Sequence, residues 1–274
     1  MKERIVGAFL VVIYALLMLL LPYNYYYALV YLLGVFIVVE LFKIASHEEL
    51  LSWGVILYSF LFFFAVNAPL LLNLLSSYFS SLALVFYGGT FLSYTLIIAP
   101  ALTGITLLFI SLLYYGRVKE SFFPLLFFLV YSTFGLVALA KLTKPYFILL
   151  ISIVWSTDTF AYLIGKHFGR RKITPAVSPK KTLEGSLGGS LVGALVSFLV
   201  GVKLGLFEAT FTSFFFVLFL TVISQLGDLL ESALKRLFGV KDSGSTIPGH
   251  GGVLDRLDST LAVAPFLFVM GGLT

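Results

Sequence analysis

The sequence predicts an all-α polytopic membrane protein of about nine transmembrane helices, with polar loops of its C-terminal half on the cytoplasmic side. Three observations predict it. Of 274 residues, 60% are hydrophobic and 11% charged, with a mean hydropathy of +1.06. A soluble domain has roughly 45–50% and about 25%, and one soluble core of this size cannot hide the surplus. Apolar runs approaching the roughly 20 residues needed to cross the bilayer recur along the chain, and they lack the period-two alternation of a membrane barrel.

The runs are 4–21, 25–45, 51–66, 101–115, 122–141, 146–165, 186–204, 209–226 and 259–274. The first starts with a basic end, as a signal peptide does. Leu20-Leu21-Pro22-Tyr23 offers no small-residue cleavage site, so it reads as a span. The stretch 67–98, punctuated by Asn67, Pro69, Asn73, serines and Gly88-Gly89, is left open between one broken span, two spans and a re-entrant pair. Lys and Arg concentrate at the N-terminus, at 117–119, at 166–181 and at 235–256. Placing all four on the cytoplasmic side gives nine spans if 67–98 enters and leaves by one face, with Lys141 and Lys144 as exceptions.

The net charge of +5 sits in short loops between spans. Membrane orientation and anionic headgroups account for it, and nucleic acid is not expected as a partner. With no cysteine there is no disulfide, thiolate metal site or cysteine nucleophile. The chain reads as one membrane-embedded domain, 1–274, with a helical scaffold in 1–140 and the working half in 141–274.

Charge chemistry separates those halves. Residues 1–150 carry Glu3, Glu40, Glu48, Glu49 and Glu120 but no aspartate. Every aspartate lies later: Asp158, Asp228, Asp242, Asp255 and Asp258. The short Asp side chain makes the better fixed ligand. Asp158 lies seven residues before Gly165, about 10 Å along a helix. A carboxylate at that depth costs on the order of 2.5–3.5 kcal/mol, so it should face a wet or cation-holding cavity. The plainer alternative is a polar contact between helices, with Ser156 and Thr157 as partners.

From Gly165 to Gly189, GKHFGRRKITPAVSPKKTLEGSLGG reads as a basic loop with glycine and proline turns. Lys166, Arg170, Arg171, Lys172, Lys180 and Lys181 face one acid, Glu184. Such a loop suits a polyphosphate, and equally suits a device that only sets orientation. It lacks the spacing of a P-loop.

The most informative stretch is SQLGDLLESALKRLFGVKDSGSTIPGHGGVLDRLD, Ser224 to Asp258. Asp228, Glu231 and Lys235 share a helix face, with an i, i+4 surface pair as the plain reading of Glu231 and Lys235. Lys241-Asp242-Ser243-Gly244 breaks the helix, and Pro248 to Gly252 forms a loop that can approach a ligand closely. His250 reads as a hydrogen-bonding loop residue. Asp255 and Asp258 fall on one side if their segment is helical. Carboxylates without sulfur suit a hard cation, Mg²⁺ first, since it takes one or two carboxylates plus substrate phosphates. Interleaved Lys and Arg would hold those phosphates.

These residues resemble a known family. SALKRLFGVKDSGSTIPGHGGVLDRLD, Ser232 to Asp258, is similar to the signature of the phosphatidate cytidylyltransferases, the CDP-diacylglycerol synthases. Ser232, Lys235-Arg236, Lys241-Asp242, Gly244, His250-Gly251-Gly252, Asp255-Arg256 and Asp258 fill its fixed positions. DTFAYLIGKHFGR, VSPKKTLEGSLGG and GDLLES upstream also resemble the family, with Phe160 a mild departure where small residues are common. The likeness covers roughly the last 120 residues.

The resemblance implies CMP transfer from CTP to phosphatidic acid, giving CDP-diacylglycerol and pyrophosphate in phospholipid biosynthesis, with Mg²⁺. More than one cation is expected, a monovalent ion being a further candidate. It implies catalytic roles for Asp228, Lys235, Arg236, Lys241, Asp242, His250, Asp255, Arg256 and Asp258. It implies substrate contacts from Tyr162, Lys166, Ser178, Lys180, Lys181, Thr182, Ser232, Gly251 and Gly252. Metal ligands would come from Asp158, Asp228, Asp242, Asp255 and Asp258. One substrate is dissolved and the other stays in the bilayer, so the carboxylates belong at the cytoplasmic interface, of the inner membrane in a bacterium, with a side opening to lipid. A homodimer is expected only from the frequency of two-fold oligomers.

Other classes predict other patterns. A transporter would spread ionisable groups near the midplane of both halves, and the first half has almost none. A CTP-dependent lipid kinase would release CDP. The D-G-x-x-A-R pattern of CDP-alcohol phosphotransferases is absent. A purely structural protein has little use for aspartates in loops rich in Lys and Gly.

Overall fold

The computed structural model describes residues 2–45, 51–78 and 122–273. Its helices are α1 (Lys2–Leu20), α2 (Tyr23–Ile44), α3 (Leu51–Tyr78), α4 (Phe122–Lys141) and α5 (Lys144–Phe168). Two short strands follow, β1 (Lys172–Thr174) and β2 (Ser178–Thr182), then α6 (Leu183–Lys203), α7 (Phe211–Leu237) and α8 (Leu254–Leu273). Among the described residues five helices are long and apolar enough to span: Tyr25–Ile44, Pro124–Lys141, Lys144–Phe168, Leu183–Lys203 and Phe211–Leu237. The protein is a multi-pass membrane protein. The expected span 101–115 and most of 67–98 lie outside the described residues, although α3 carries the helix through to Tyr78.

The chain divides into two compact units. The first comprises 1–142, 242–253 and 265–274; the second comprises 143–241 and 254–264. In the first, α2, α3 and α4 pack on one another. Tyr26 donates to the Leu139 carbonyl at 2.8 Å, tying α2 to α4. Tyr58 stacks on Tyr31 with ring centroids 5.5 Å apart and donates to its carbonyl. Gly34 makes room for the Tyr58 ring, whose hydroxyl occupies the place a Cβ would take.

In the second unit α5 and α6 make the most intimate pair. Gly185, Gly189 and Gly193 recur every four residues on α6 and are buried. They lie against Gly165, Ala161 and Thr157, which recur every four residues on α5. Lipid tails are as apolar as leucine, so helices gain little by hiding apolar surface from them. Small residues instead admit backbone to backbone and maximise dispersion contact. Ser156 joins the same seam through the Gly193 carbonyl and Ser197 Oγ, each at 3.3 Å. The plainer alternative for Asp158, a polar helix contact with Ser156 and Thr157 as partners, meets other contacts for both: Ser156 bonds across to α6, and Thr157 packs against Gly193. The other side of α6 exposes Leu187, Leu191, Leu195 and Leu199, again four apart.

Gln225 of α7 donates to the Ser186 carbonyl at 2.9 Å and to Ser190 Oγ at 2.7 Å, fixing α7 on α6. Ser259 of α8 donates to the Ser224 carbonyl at 3.0 Å.

The anticipated basic loop from Gly165 to Gly189 is mostly not a loop. Helix α5 continues to Phe168 and α6 begins at Leu183, so Gly185 and Gly189 are helical. Between them lies an antiparallel hairpin pairing Lys172 with Thr182 and Thr174 with Ser178, a small β exception to the all-α expectation. Thr182 then caps α6, accepting from the Gly185 amide at 3.2 Å. Thr182→Val should cost about 1 kcal/mol of stability, an N-cap's usual worth, read as a lowered Tm in detergent.

Candidate active site

Two basic strand ends and three helices build a cavity of about 470 Å³ in the second unit. Asp158, Tyr162 and Lys166 reach it from α5, at successive turns of one face. Lys172 comes from β1, and Lys180, Lys181 and Thr182 from β2. Ser186 of α6, with Gln225 and Asp228 of α7, closes the lining. Seven predicted site residues thus converge: Asp158, Tyr162, Lys166, Lys180, Lys181, Thr182 and Asp228. Sequence reasoning missed Ser186 and Gln225, and left Lys172 among general loop charge. A polar Ser-Gln pair at 224–225, interrupting an apolar run, was the available signal.

The alternation along β2 explains part of this. Lys180 and Thr182 lie on one side of an extended chain and Lys181 on the other, yet all three edge the cavity, because the hairpin's register shifts between its two paired positions. The hairpin is held at its root: Glu184 accepts from the Arg170 amide at 2.9 Å and the Arg171 amide at 3.1 Å. Arg236 holds its tip, donating to the Val177 carbonyl at 3.2 Å and the Val240 carbonyl at 2.9 Å. Arg236 is thus engaged with backbone.

One ion pair lies within the cavity. Lys181 Nζ lies 2.6 Å from Asp228 Oδ2, and Ser232 Oγ donates to Asp228 Oδ1 at 3.3 Å. Ser232, expected to touch substrate, here orients a carboxylate. Asp258 precedes the apolar run 259–274 and is partly buried. Its carboxyl is pushed above the usual carboxylate range, first by loss of water and then by the Asp228 charge, with Asp158 adding to it.

Asp255 and Asp258 fall within the first turns of α8, as the spacing required. Asp255 does something further: its Oδ1 lies 2.6 Å from Lys235 Nζ, which also lies 2.6 Å from Glu231 Oε2. Glu231 is 1% exposed. The expected surface pair is instead a buried one shared with Asp255. Helix α7 ends just beyond, where Gly239 adopts φ +70° and the Val240 amide returns to the Lys235 carbonyl at 2.9 Å.

The other signature residues belong to the first unit, except Lys241 and Arg256, the latter exposed on α8. Lys241 closes the second unit and is exposed, as is Asp242, which opens the loop. The His250 amide donates to the Ile247 carbonyl at 3.0 Å and Ile247 bridges to Gly251, making a tight turn with Gly249 and Gly251 at φ +69° and +83°. The His250 ring lies against Gly7 of α1. Ser178 belongs to β2 but does not edge the cavity.

Among the described residues no group of three or more His, Asp or Glu is gathered to hold a metal by itself. Two carboxylates, Asp158 and Asp228, line one cavity beside four lysines. That donor set fits a hard cation completed by phosphate oxygens rather than a closed protein cage.

Proteins similar to this chain carry consistent names. A phosphatidate cytidylyltransferase of Bacillus subtilis (strain 168) is 45% identical over 118 residues, 43% of this chain and 44% of that protein. One from Staphylococcus aureus (strain COL) is 43% identical over 118 residues, 43% of this chain and 45% of that one. One from Staphylococcus saprophyticus is 39% identical over 125 residues, 46% and 48% respectively. The match spans under half the length of each of these relatives. The model of the cytidylyltransferase family matches residues 2–273, virtually the whole chain, and the chain belongs to that family.

Proposed function

We propose that this protein transfers CMP from CTP to phosphatidic acid. A phosphate oxygen of phosphatidic acid attacks the α-phosphorus of CTP, the bond from that phosphorus to the β-phosphate oxygen breaks, and pyrophosphate leaves. The observation that carries this reading is the cavity in which Asp158 and Asp228 stand among Lys166, Lys172, Lys180 and Lys181. The family membership and the names of the relatives support it.

Both substrates are anions, so their mutual repulsion is the first barrier. The lysines neutralise the triphosphate and the lipid headgroup as they meet. Asp158 and Asp228 would hold Mg²⁺, which when bound lends Lewis-acid stabilisation to charge on the phosphates. The Lys181–Asp228 ion pair and the Ser232 hydrogen bond keep the Asp228 carboxylate in one orientation. The nucleophile is already ionised, so no strong base is required, and the residues act by positioning and by charge. The basic charge of the hairpin supports a site on the cytoplasmic side.

The test is turnover of radiolabelled CTP by detergent-purified protein with phosphatidic acid and Mg²⁺, with and without EDTA, separating pyrophosphate, CDP and CDP-lipid. Metal-dependent CDP-diacylglycerol with matching pyrophosphate is expected. Asp228→Asn should lower kcat by about 10²–10³-fold. CDP in place of pyrophosphate would make the protein a lipid kinase, and no turnover by folded protein would overturn the reading.

A further inference from the structure

We infer that Glu40, in the N-terminal half, is a positioning residue for the reaction, anchoring the loop that carries the family signature; its part in catalysis rests on the function proposed above. Glu40 sits in the body of α2 and is 4% exposed. A carboxylate so placed is costly unless hydrogen bonds surround it. Three hydrogen bonds reach it from one short segment some two hundred residues away. Glu40 Oε1 accepts from Thr246 Oγ1 at 2.6 Å and from the Val253 amide at 2.7 Å. Glu40 Oε2 accepts from Ser243 Oγ at 3.1 Å. The three donors stand at the start, middle and end of the segment, so one carboxylate fixes its whole course.

The loop glycines fit the same role. A Cβ at Gly252 would lie 2.5 Å from Glu40 Oε2 and 2.1 Å from Ser243 Oγ. One at Gly244 would lie 3.1–3.3 Å from the Glu40 side chain. Gly252, which the sequence suggested for close approach to a ligand, is what lets Glu40 in. His250 is wedged from the neighbouring helix, since a Cβ at Gly7 would meet its Nδ1 at 2.4 Å. Val253 is the last residue before α8, whose first five residues include Asp255, Arg256 and Asp258. By holding the Val253 amide, Glu40 fixes the last residue of the loop.

Hydrogen exchange and kinetics on the full chain in detergent test this together. Glu40→Leu should raise amide exchange in 243–253 by about tenfold or more, leaving α5 and α6 unchanged. It should lower kcat for CDP-diacylglycerol formation by about 100-fold, with the KM for CTP moving less than about threefold. Glu40→Gln keeps an oxygen for Thr246 and Val253, and Ser243 can turn its hydroxyl to accept, so kcat should recover to within about tenfold of the parent. Unchanged exchange in the loop with Glu40→Leu would overturn the anchor. A looser loop with undiminished kcat, or Glu40→Gln as damaging as Glu40→Leu, would overturn the positioning role. Should the parent protein fail to make CDP-lipid, the functional reading falls, and with it Glu40's part in catalysis; the exchange data then decide the anchor alone.

Discussion

Lys235→Met is expected to be among the most destabilising single substitutions in the second unit. Its ammonium lies 2.6 Å from both the Glu231 and Asp255 carboxylates, and the side chains are 12%, 2% and 6% exposed. Methionine keeps the packing volume and removes the charge, leaving two buried carboxylates facing each other. Breaking one buried pair by deleting a partner costs about 3–5 kcal/mol, and here one deletion strands two acids. Unfolding in detergent should show a loss in that range or above. Glu231→Gln should be milder, about 1–3 kcal/mol, because Lys235 keeps Asp255. Equal losses in the two variants would show that Lys235 does not bridge the acids.

The second large effect concerns backbone contact. A Cβ at Gly189 would lie 2.6 Å from the Ala161 Cβ and 2.7 Å from the Ala161 Cα and amide nitrogen. Backbone cannot turn aside as a side-chain end can, so Gly189→Leu must push α5 and α6 apart. Overpacking by a methylene costs roughly 1–3 kcal/mol, and leucine adds several carbons at the tightest point. Loss of folded protein, seen as aggregation on size exclusion, is the expected outcome. Gly188→Ala is the control: its new methyl meets chiefly the ends of the Ile164 side chain. It should be purified normally and keep its turnover. If both behave alike, the helices are not held by that seam.

Much of this fold was legible because membrane helices announce themselves by length and apolarity. The runs 122–141, 146–165, 186–204 and 209–226 fall on α4 to α7 with ends displaced by at most three residues, except that α7 continues eleven residues past 226, to Leu237. Asp255 and Asp258 were placed together by helical spacing alone. Harder features depend on what lies across the gap between helices. The period of four through Gly185, Gly189 and Gly193 was visible, but glycine reads as a turn former when its price in a helix is weighed without a neighbour to repay it. Glu231 looked like half of a surface pair because nothing local reveals that Asp255 also reaches Lys235. Glu40 was wholly hidden: its partners are more than two hundred residues downstream, and a lone glutamate in a scaffold helix carries no motif.

The separation between Glu40 and its loop also has a timetable. Ser243 follows Glu40 by 203 residues. At a synthesis rate of about 5–20 residues per second, the carboxylate waits roughly 10–40 s for its donors to emerge. During that interval α2 is already made, so the nascent chain must keep Glu40 in other company: water, a headgroup or the insertion machinery. The unit that is begun first is thus completed last, and its earliest helices stay provisional until the signature loop arrives.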